Sequence, residues 1–278
     1  MKLKYRENEM DWNKEWRNTR KSTGHNDDVE FWNEFAPRFR KDPKPGEKDP
    51  YAEIFYEKVG FKPGETIFDM GCASGTLAIP FAQKGHEVYA ADFSPKMLEI
   101  LEQDAQKLGL SDLIHPIQLD WNEDWSLRGI PVCDVALSSR SLIADDVEGC
   151  LKKLESKASR RVGVGVWTTG KYGYDRRIAE EIGYNKPDYG VFIYIMNILF
   201  DMNKMPELSY ISGRFKSQKY DSFDDCIQKV SEKFPEKLTQ EQHRKLVEYT
   251  KLHLVKEGEL WRYDHDGVAT WAFIGWDK

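Results

Sequence analysis

The chain has 278 residues, which is enough to bury a sizeable core as one large α/β domain with additions. Its 41 lysines and arginines against 47 aspartates and glutamates give a formal net charge of −6, which argues against a broad phosphate-binding surface of the kind found in nucleic-acid binders. The four cysteines lie far apart without a C-x-x-C pair, which predicts buried thiols in a reducing compartment and disfavours a zinc knuckle. Because the sequence has neither a secretory signal nor a run long enough to span a bilayer, we expect a cytoplasmic protein.

Residues 1–50 predict a separate helical element. Aromatic side chains recur there at near-helical spacing among charges, from Trp12 to Phe39, and a stretch rich in Pro, Gly and charge at 41–50 ends the pattern. Two aromatic helices docked on the main domain would explain this pattern, and an ordinary amphipathic packing helix is the alternative. His25 falls in the loop expected between the two helices.

A strand that runs into a glycine-rich turn and then a helix occupies residues 66–77. The apolar run ends at Asp69, and Gly71 and Gly75 follow four positions apart. This order presents backbone N–H groups at one point, where glycine lets the main chain approach a ligand. The next apolar run ends at Asp92, twenty-one positions after Gly71. That spacing is typical of the carboxylate that binds ribose hydroxyls in a nucleotide-binding βαβ unit.

The glycine turn fits a dinucleotide fingerprint poorly, because Ala73 stands at the second glycine of G-x-G-x-x-G and Thr76 at the third. The segment Asp69-Met-Gly-Cys-Ala-Ser-Gly75 resembles instead the first motif of class I S-adenosylmethionine (SAM)-dependent methyltransferases, in which an acidic strand end precedes G-x-G-x-G. A glycine turn between core elements without any ligand is the alternative. The resemblance covers residues 51–167 well and the last third only by topology.

The resemblance implies an α/β fold with a doubly wound, mostly parallel seven-stranded sheet, an antiparallel last strand and an N-terminal helical cap or lid. The sequence pattern agrees, since strands and helices alternate up to residue 167. Ser94 and Pro95 are typical of a helix start, as N-cap and first helical residue. We predict helices over 51–59, 76–84, 95–108 and 145–158, and strands over 66–69, 88–91, 114–119, 132–137 and 161–167.

The resemblance also implies where SAM, or its product S-adenosylhomocysteine (SAH), would bind. Phe93 is placed to lie along the adenine, and Asp120 with Trp121 match the position that meets the adenine amino group and ring. The alternative is that Trp121 and Trp125 simply cover the top of the sheet. The implied cofactor-binding residues are Asp69, Gly71, Cys72, Ala73, Gly75, Asp92, Phe93, Asp120, Trp121 and Ser138.

The loop Ser138-Ser-Arg-Ser-Leu142, after the fourth predicted strand, is expected to face the transferred methyl group, because open sheets bind ligands beyond the carboxyl ends of their strands. It lacks the N-P-P-F/Y signature of enzymes that methylate amino groups of nucleic acids, which favours a small-molecule acceptor. Arg140 is expected to face an acceptor carboxylate or phosphate, with a surface ion pair as the alternative. Phe39 and Tyr174 are the other predicted acceptor-binding residues.

No residue stands out as a general base, which a neutral acceptor does not need. The candidates are Tyr172, Tyr174 and His25. The methyl group is expected to move by direct SN2 transfer. An RNA or protein methyltransferase is one alternative, although nucleic acid is not an expected partner, and a non-catalytic SAM- or nucleotide-binding module is another.

The last third of the chain is less regular. We predict an acceptor-site insertion at about 168–206, a helical insertion at about 220–258, and strands at 207–215 and 268–276, all within a methyltransferase domain over 51–278. The nearly all-apolar helix predicted over 189–202 packs in the core, lines an acceptor pocket or forms a homodimer contact. Residues 263–267 predict a turn before the last strand, with metal ligation by His265 and Asp264 or Asp266 as the alternative, and no metal is expected.

Overall fold

The computed structural model describes residues 10–23, 28–39, 46, 48–142, 144–168, 174–185, 190–215, 218–234 and 236–278. Its nine strands are β1 Ile67–Met70, β2 Val88–Asp92, β3 Ile114–Gln118, β4 Cys133–Ser139, β5 Ala158–Trp167, β6 Glu207–Phe215, β7 Leu254–Glu257, β8 Leu260–Tyr263 and β9 Gly267–Asp277. Its ten α-helices are α1 Trp12–Thr23, α2 Val29–Phe39, α3 Pro50–Val59, α4 Ala78–Ala82, α5 Pro95–Leu108, α6 Val147–Ser156, α7 Arg176–Ile182, α8 Val191–Asp201, α9 Phe223–Ser231 and α10 Gln240–His253.

Seven of the strands form one sheet in the order β3-β2-β1-β4-β5-β9-β6. Strands β1 to β5 pair in parallel, and β9 pairs antiparallel with both β5 and β6. The predicted seven-stranded, mostly parallel sheet with an antiparallel last strand is therefore confirmed. Its carboxyl edge, where β1, β2, β3 and β4 end, is the edge at which such sheets bind ligands.

Helices cover both faces of this sheet, as a doubly wound fold requires. On one face, α3, α4 and α5 bury an apolar cluster that includes Phe55, Phe81 and Leu101. On the other face, α6 and α8 bury a second cluster, to which α1 adds Trp16. The core is therefore two layers separated by the sheet. The glycine turn between β1 and α4 lies at the edge of both core layers.

Helix α8 was predicted from its nearly all-apolar sequence to pack in the core, line a pocket or form a dimer contact. Ile195, Ile198 and Leu199 bury one of its faces against the sheet, so core packing is the role of that face. The helix has 11 residues. No helix in the described part of the chain is long and apolar enough to cross a membrane.

A second, smaller unit consists of α7, α9, α10 and the two-stranded sheet formed by β7 and β8, which we call the helical unit. It has its own buried cluster, separate from the two layers around the main sheet. Helix α7 belongs to this unit while α8 packs on the main sheet, so the division cuts across the insertion predicted at about 168–206. The helical insertion predicted at about 220–258 is helical only as far as His253, because the chain then turns at Gly258 to form the unpredicted β7–β8 hairpin.

Candidate functional site

The turn between β1 and α4 depends on glycine at two positions. Gly71 and Gly75 have backbone φ angles of 78° and 93°, and Ala73 between them has a φ of 49°. A Cβ atom at Gly75 would lie 2.6 Å from Leu101 Cδ1, so this glycine lets α5 pack against the turn. A Cβ atom at Gly71 would lie 2.1 Å from Ser141 Cβ, so this glycine makes room for the loop after β4. Glycine is needed at both positions because other parts of the same chain pack closely against the turn.

Three backbone N–H groups at the start of this turn are bonded within the protein. Gly71 and Cys72 both donate to the carbonyl of Ala91, at 2.7 and 3.0 Å. Ala73 donates to Asp92 Oδ2 at 2.8 Å. This corrects the expectation that these amides are free for a ligand. The same bond brings the turn and Asp92 together, as their spacing in the sequence predicted.

Two buried carboxylates lie where β1 and β2 reach the carboxyl edge. Asp69 is 2% exposed, and its Oδ2 has no hydrogen-bond partner among the described residues. Burial, followed by the negative charge of Asp92, raises the pKa of Asp69 to about 7. Burial also raises the pKa of Asp92 to about 6, although the backbone N–H groups of Ser94 and Ala73 oppose this shift. No positive charge among the described residues lowers the pKa of either carboxyl, so the ionised forms at this end of the edge are only partly stabilised.

Buried polar contacts hold the loops after β3 and β4 together. The indole N–H of Trp121 donates to the Ser141 carbonyl at 2.9 Å. Ser141 Oγ in turn donates to the Met70 carbonyl at 2.8 Å and shares a 2.9 Å hydrogen bond with Ser138 Oγ. Trp121 also packs against Trp125, with ring centroids 5.2 Å apart. These contacts hold both tryptophans over the end of the sheet, beside the carboxyl edge.

The Asp120 carboxylate is engaged within its own loop. Its Oδ1 accepts hydrogen bonds from the backbone N–H and the side-chain amide of Asn122, at 2.7 and 3.0 Å. Its backbone carbonyl accepts from the Trp125 indole at 2.9 Å. Phe93 is half-buried in the turn between β2 and α5. These two residues flank the carboxyl edge at the end of β3 and β2.

Arg140 sits at the end of β4 with its guanidinium held against two aromatic rings. Its carbon Cζ lies 4.5 Å from the centroid of the Tyr51 ring and 5.7 Å from that of Trp271. The Tyr51 hydroxyl shares a 2.7 Å hydrogen bond with Ser139 Oγ, which fixes the ring. The backbone φ of Arg140 is 60°, and its N–H donates to the Gly165 carbonyl at 2.7 Å. Among the described residues, no carboxylate lies within ion-pair distance of this guanidinium.

Helices α1 and α2 attach to two loops of the carboxyl edge. The indole N–H of Trp16, in α1, donates to the Ala144 carbonyl at 2.8 Å, after β4. Ser94, which follows β2 and is the N-cap of α5, donates from Oγ to Asn33 Oδ1 of α2 at 2.7 Å. Phe39 is half-buried at the end of α2. The two helices therefore lie beside the edge where the carboxylates and the arginine are found.

Comparison with known proteins places this arrangement in a family. A family model described as a methyltransferase domain matches residues 67–156, from β1 to the end of α6. An uncharacterised protein of Haemophilus influenzae is 30% identical over 235 residues, which cover 84% of this chain and 83% of the relative. The chain belongs to the class I SAM-dependent methyltransferases. The predicted family, activity and cofactor are thereby confirmed.

Two further matches are more distant from this methyltransferase. A Methanobrevibacter smithii protein described as a probable cobalt-precorrin-6B C(15)-methyltransferase (decarboxylating) is 27% identical over 110 residues, which cover 40% of this chain and 57% of the relative. A crystal structure of a Bacillus halodurans C-125 protein assigned to the methyltransferases superposes with a TM-score of 0.52 and 13% identity, covering 82% of this chain and 98% of that one. The second match shows the shared fold.

The methyltransferase brings most of its predicted site residues to one edge, but not all of them. The ring of Tyr174 is buried in the helical unit, stacked on Phe234 at 4.9 Å and near Tyr184 at 5.5 Å. This placement argues against the prediction that Tyr174 binds the acceptor or acts as a base, because its ring serves as core of that unit. Tyr172 and His25 lie outside the described residues.

Three residues that shape the site of this methyltransferase were not predicted. Tyr51 and Trp271 hold Arg140, and Asn33 joins α2 to the start of α5. Ser141 belongs to the predicted loop after β4, but its contact with Gly71 was not predicted. Tyr51 and Trp271 are separated by most of the chain, and no local spacing connects them to Arg140. The sequence contains one indication of the Ser141 contact. A glycine at position 71 indicates that another part of the chain packs closely there, but it does not indicate which residue.

Proposed function

We propose that this methyltransferase transfers a methyl group from SAM to a small-molecule acceptor that carries an anionic group. The observation that supports the anionic acceptor is the guanidinium of Arg140, which lies at the carboxyl edge without a carboxylate partner among the described residues. A guanidinium has five N–H donors in a planar fork that matches a carboxylate or phosphate. Stacking on Tyr51 and Trp271 orients the fork without occupying its donors.

Two buried carboxylates support a SAM site at the other end of the edge. SAM carries a positive sulfonium and a positive ammonium, and the unpartnered Oδ2 of Asp69 suits such a charge. We assign Asp69 to the cationic part of SAM and Asp92 to its ribose hydroxyls. Phe93, Asp120 and Trp121 would flank the adenine. The remaining assigned positions line the turn and the neighbouring loop: Gly71, Cys72, Ala73, Gly75 and Ser138.

The chemistry asks little of the protein beyond alignment and exclusion of water. A lone pair on the acceptor attacks the methyl carbon while the carbon–sulfur bond breaks, and the sulfonium leaves as the neutral thioether of SAH. Holding donor and acceptor in line contributes several kcal/mol through effective molarity. Helices α1 and α2 are placed to cover the site as a lid, which would keep it dry. Phe39, at the end of α2, is a candidate contact for the acceptor.

A small acceptor is favoured over RNA or protein by two findings. The net charge of −6 is unsuited to a polyanionic substrate. One relative is described as acting on cobalt-precorrin, which is a small molecule.

Two measurements in series test the proposal. The first is calorimetric binding of SAM, SAH and NADH, in which SAM and SAH are expected to bind and NADH is not. The second is transfer of a labelled methyl group to matched acceptors that differ only in a carboxylate or phosphate, with total RNA and a protein lysate as separate arms. Preference for the anionic members supports the proposal. Equal transfer to neutral members, or transfer to RNA or protein alone, would contradict it.

A further inference from the structure

Three potential metal ligands converge at the end of α10, in the helical unit. His253 comes from the last turn of α10, and Asp264 and His265 come from the turn between β8 and β9. Each offers one ligand atom, and these atoms all lie within 4.8 Å of one another. His253 Nδ1 is 3.3 Å from Asp264 Oδ1, and His265 Nε2 is 4.0 Å from the same oxygen.

We propose that His253, Asp264 and His265 form a binding site for a divalent transition-metal ion, with zinc as the best match. Two imidazole nitrogens and one carboxylate oxygen are a ligand set that zinc accepts and that magnesium and calcium, which prefer oxygen ligands, do not. Neighbouring ligand atoms around tetrahedral zinc lie about 3.3 Å apart when the bonds are ~2.0–2.1 Å. One pair already has that separation. Small rotations of the partly exposed side chains would bring in the third atom.

The turn that carries two of these ligands is fixed to the helix that carries the third. The Asp264 N–H donates to the His253 carbonyl at 2.9 Å. The His253 ring packs against Tyr249 with centroids 4.4 Å apart, and the His265 ring stacks on Tyr263 at 5.4 Å and 11°. These contacts orient both imidazoles before any ion binds. Such preorganisation lowers the entropic cost of binding.

The Tyr249 hydroxyl is in position to complete the site. It lies 2.7 Å from His265 Nε2, so an ion bound to that nitrogen would also be beside the hydroxyl oxygen. In the unbound state this hydroxyl holds the imidazole through a hydrogen bond. In the bound state we expect it, or a water molecule, to supply the fourth ligand.

Such an ion would hold the helical unit to the main sheet. It would join the end of α10 to the start of β9, the strand that carries Trp271 beside Arg140. Arg177, at the start of α7, also donates to the Asp266 carbonyl in the same turn, and its charge is paired with Asp175. The proposed role is therefore structural, and it does not depend on the identity of the methyl acceptor.

The test is zinc titration of the full chain, prepared without a histidine tag and competed against a chromophoric chelator. We expect one zinc per chain and a rise in Tm on loading. His253→Ala, His265→Ala and Asp264→Asn should each weaken zinc binding by at least ~10-fold, since even outer-shell changes cost that much. His243→Ala, on the exposed face of α10 and away from the cluster, is the matched control and should bind like the parent.

Cobalt substitution gives a second readout, because cobalt bound by this nitrogen and oxygen set has visible d–d absorption bands that should disappear in the three variants. SAH binding of each variant shows that it is folded. Asp264→Asn keeps the size of its side chain, so a folding defect is least expected there. Zinc below one equivalent per folded chain, or equal loss in His243→Ala and His253→Ala, would overturn the proposal.

Discussion

The two ends of the carboxyl edge carry ionisable groups of opposite charge, and the protein stabilises the charge at only one of them. At the end of β1 and β2, Asp69 and Asp92 are buried, and their raised pKa values show that the folded chain disfavours their ionised forms. At the end of β4, Arg140 is half-buried and keeps a favourable ring contact on Tyr51 and Trp271. The acidic end therefore gains far more from a ligand of opposite charge than the basic end does.

This difference has a consequence for how the two substrates bind. A cation bound at the acidic end offsets the free-energy cost of burying two ionised carboxylates. An anion bound at the basic end only adds a contact, because the aromatic rings already stabilise the arginine charge. We therefore expect changes at the acidic end to alter both stability and cofactor affinity. Changes at the basic end should alter acceptor selection alone.

The largest expected effect on ligand binding is that of Asp69→Asn, which should weaken SAM binding by roughly 100-fold, the cost of removing one partner from a buried charge pair. Calorimetric titration with SAM measures this loss. Asp277→Asn, an exposed carboxylate at the end of β9, is the control and should leave the affinity unchanged. SAM affinity that is unaltered in Asp69→Asn would remove this carboxylate from the cofactor site.

The same substitution should stabilise the free protein at pH 8. The pKa of Asp69 is raised from 3.8 to about 7, so the folded state binds more protons than the unfolded state between these values, and stability falls as pH rises through that range. Above pH 7, a pKa shift of this size lowers the free energy of unfolding by roughly 4 kcal/mol. Urea unfolding at pH 8 should show the Asn variant more stable than the parent, with the gap closing towards pH 4. A variant less stable at pH 8 would contradict the argument.

SAM affinity should fall as the medium is acidified. The pKa values of Asp69 and Asp92 are about 7 and about 6, so both carboxyls gain protons between pH 8 and pH 5.5 and lose the charge that attracts the cofactor. We expect a fall of roughly 30-fold or more over this range, because pH 5.5 lies about 1.5 pH units below the pKa of Asp69. Calorimetry at several pH values measures it, and titrations in buffers of different ionisation enthalpy should detect proton release on binding near pH 6.5. An affinity independent of pH would mean that the two carboxylates do not face the cation.

Arg140→Gln should change acceptor selection and leave the cofactor alone. Loss of one charge-assisted contact is expected to raise KM for an anionic acceptor by about tenfold, or ~1.4 kcal/mol. SAH affinity should stay at the parent value. Arg244→Gln, in an exposed ion-pair cluster of α10, is the matched control. Equal KM changes for anionic and neutral acceptors would indicate a general distortion of the loop.

The smallest expected effect is that of Asn33→Ala, which removes the hydrogen bond between α2 and Ser94. The loss should be about 1 kcal/mol. We expect it in SAM affinity, while Tm changes little, because Ser94 Oγ still accepts from the Met97 N–H as the N-cap of α5. A large fall in Tm with unchanged affinity would instead make α2 a structural helix.

The sequence predicted best those features that depend on local pattern. The alternation of β1 to β5 with helices, the N-cap at Ser94 and the approach of Asp92 to the turn were all predicted from spacing along the chain. Helix α4 is the exception, since it spans Ala78–Ala82 where 76–84 was expected. Pro80 inside it cannot donate a backbone hydrogen bond, which limits its regularity.

Features that depend on distant contacts were missed. The amides of Gly71 and Cys72 are bonded to Ala91 because β1 and β2 lie side by side, and the sequence of the turn alone carries no trace of this. Tyr174 was assigned to the acceptor site because it follows β5, but it packs with Phe234, sixty residues later. The third ligand of the proposed metal site, His253, likewise lies on another element, α10. Residues 263–267 considered alone therefore indicate only a turn.

The contact between Gly71 and Ser141 joins the two ends of the edge mechanically. Ser141 occupies the space that a side chain at position 71 would need. Arg140 immediately precedes Ser141 in the chain. A larger side chain at position 71 would displace Ser141 and, through the peptide bond that links the two residues, Arg140. The proposed SAM site and the proposed acceptor site thus meet at this contact, so a larger residue at position 71 should disturb both.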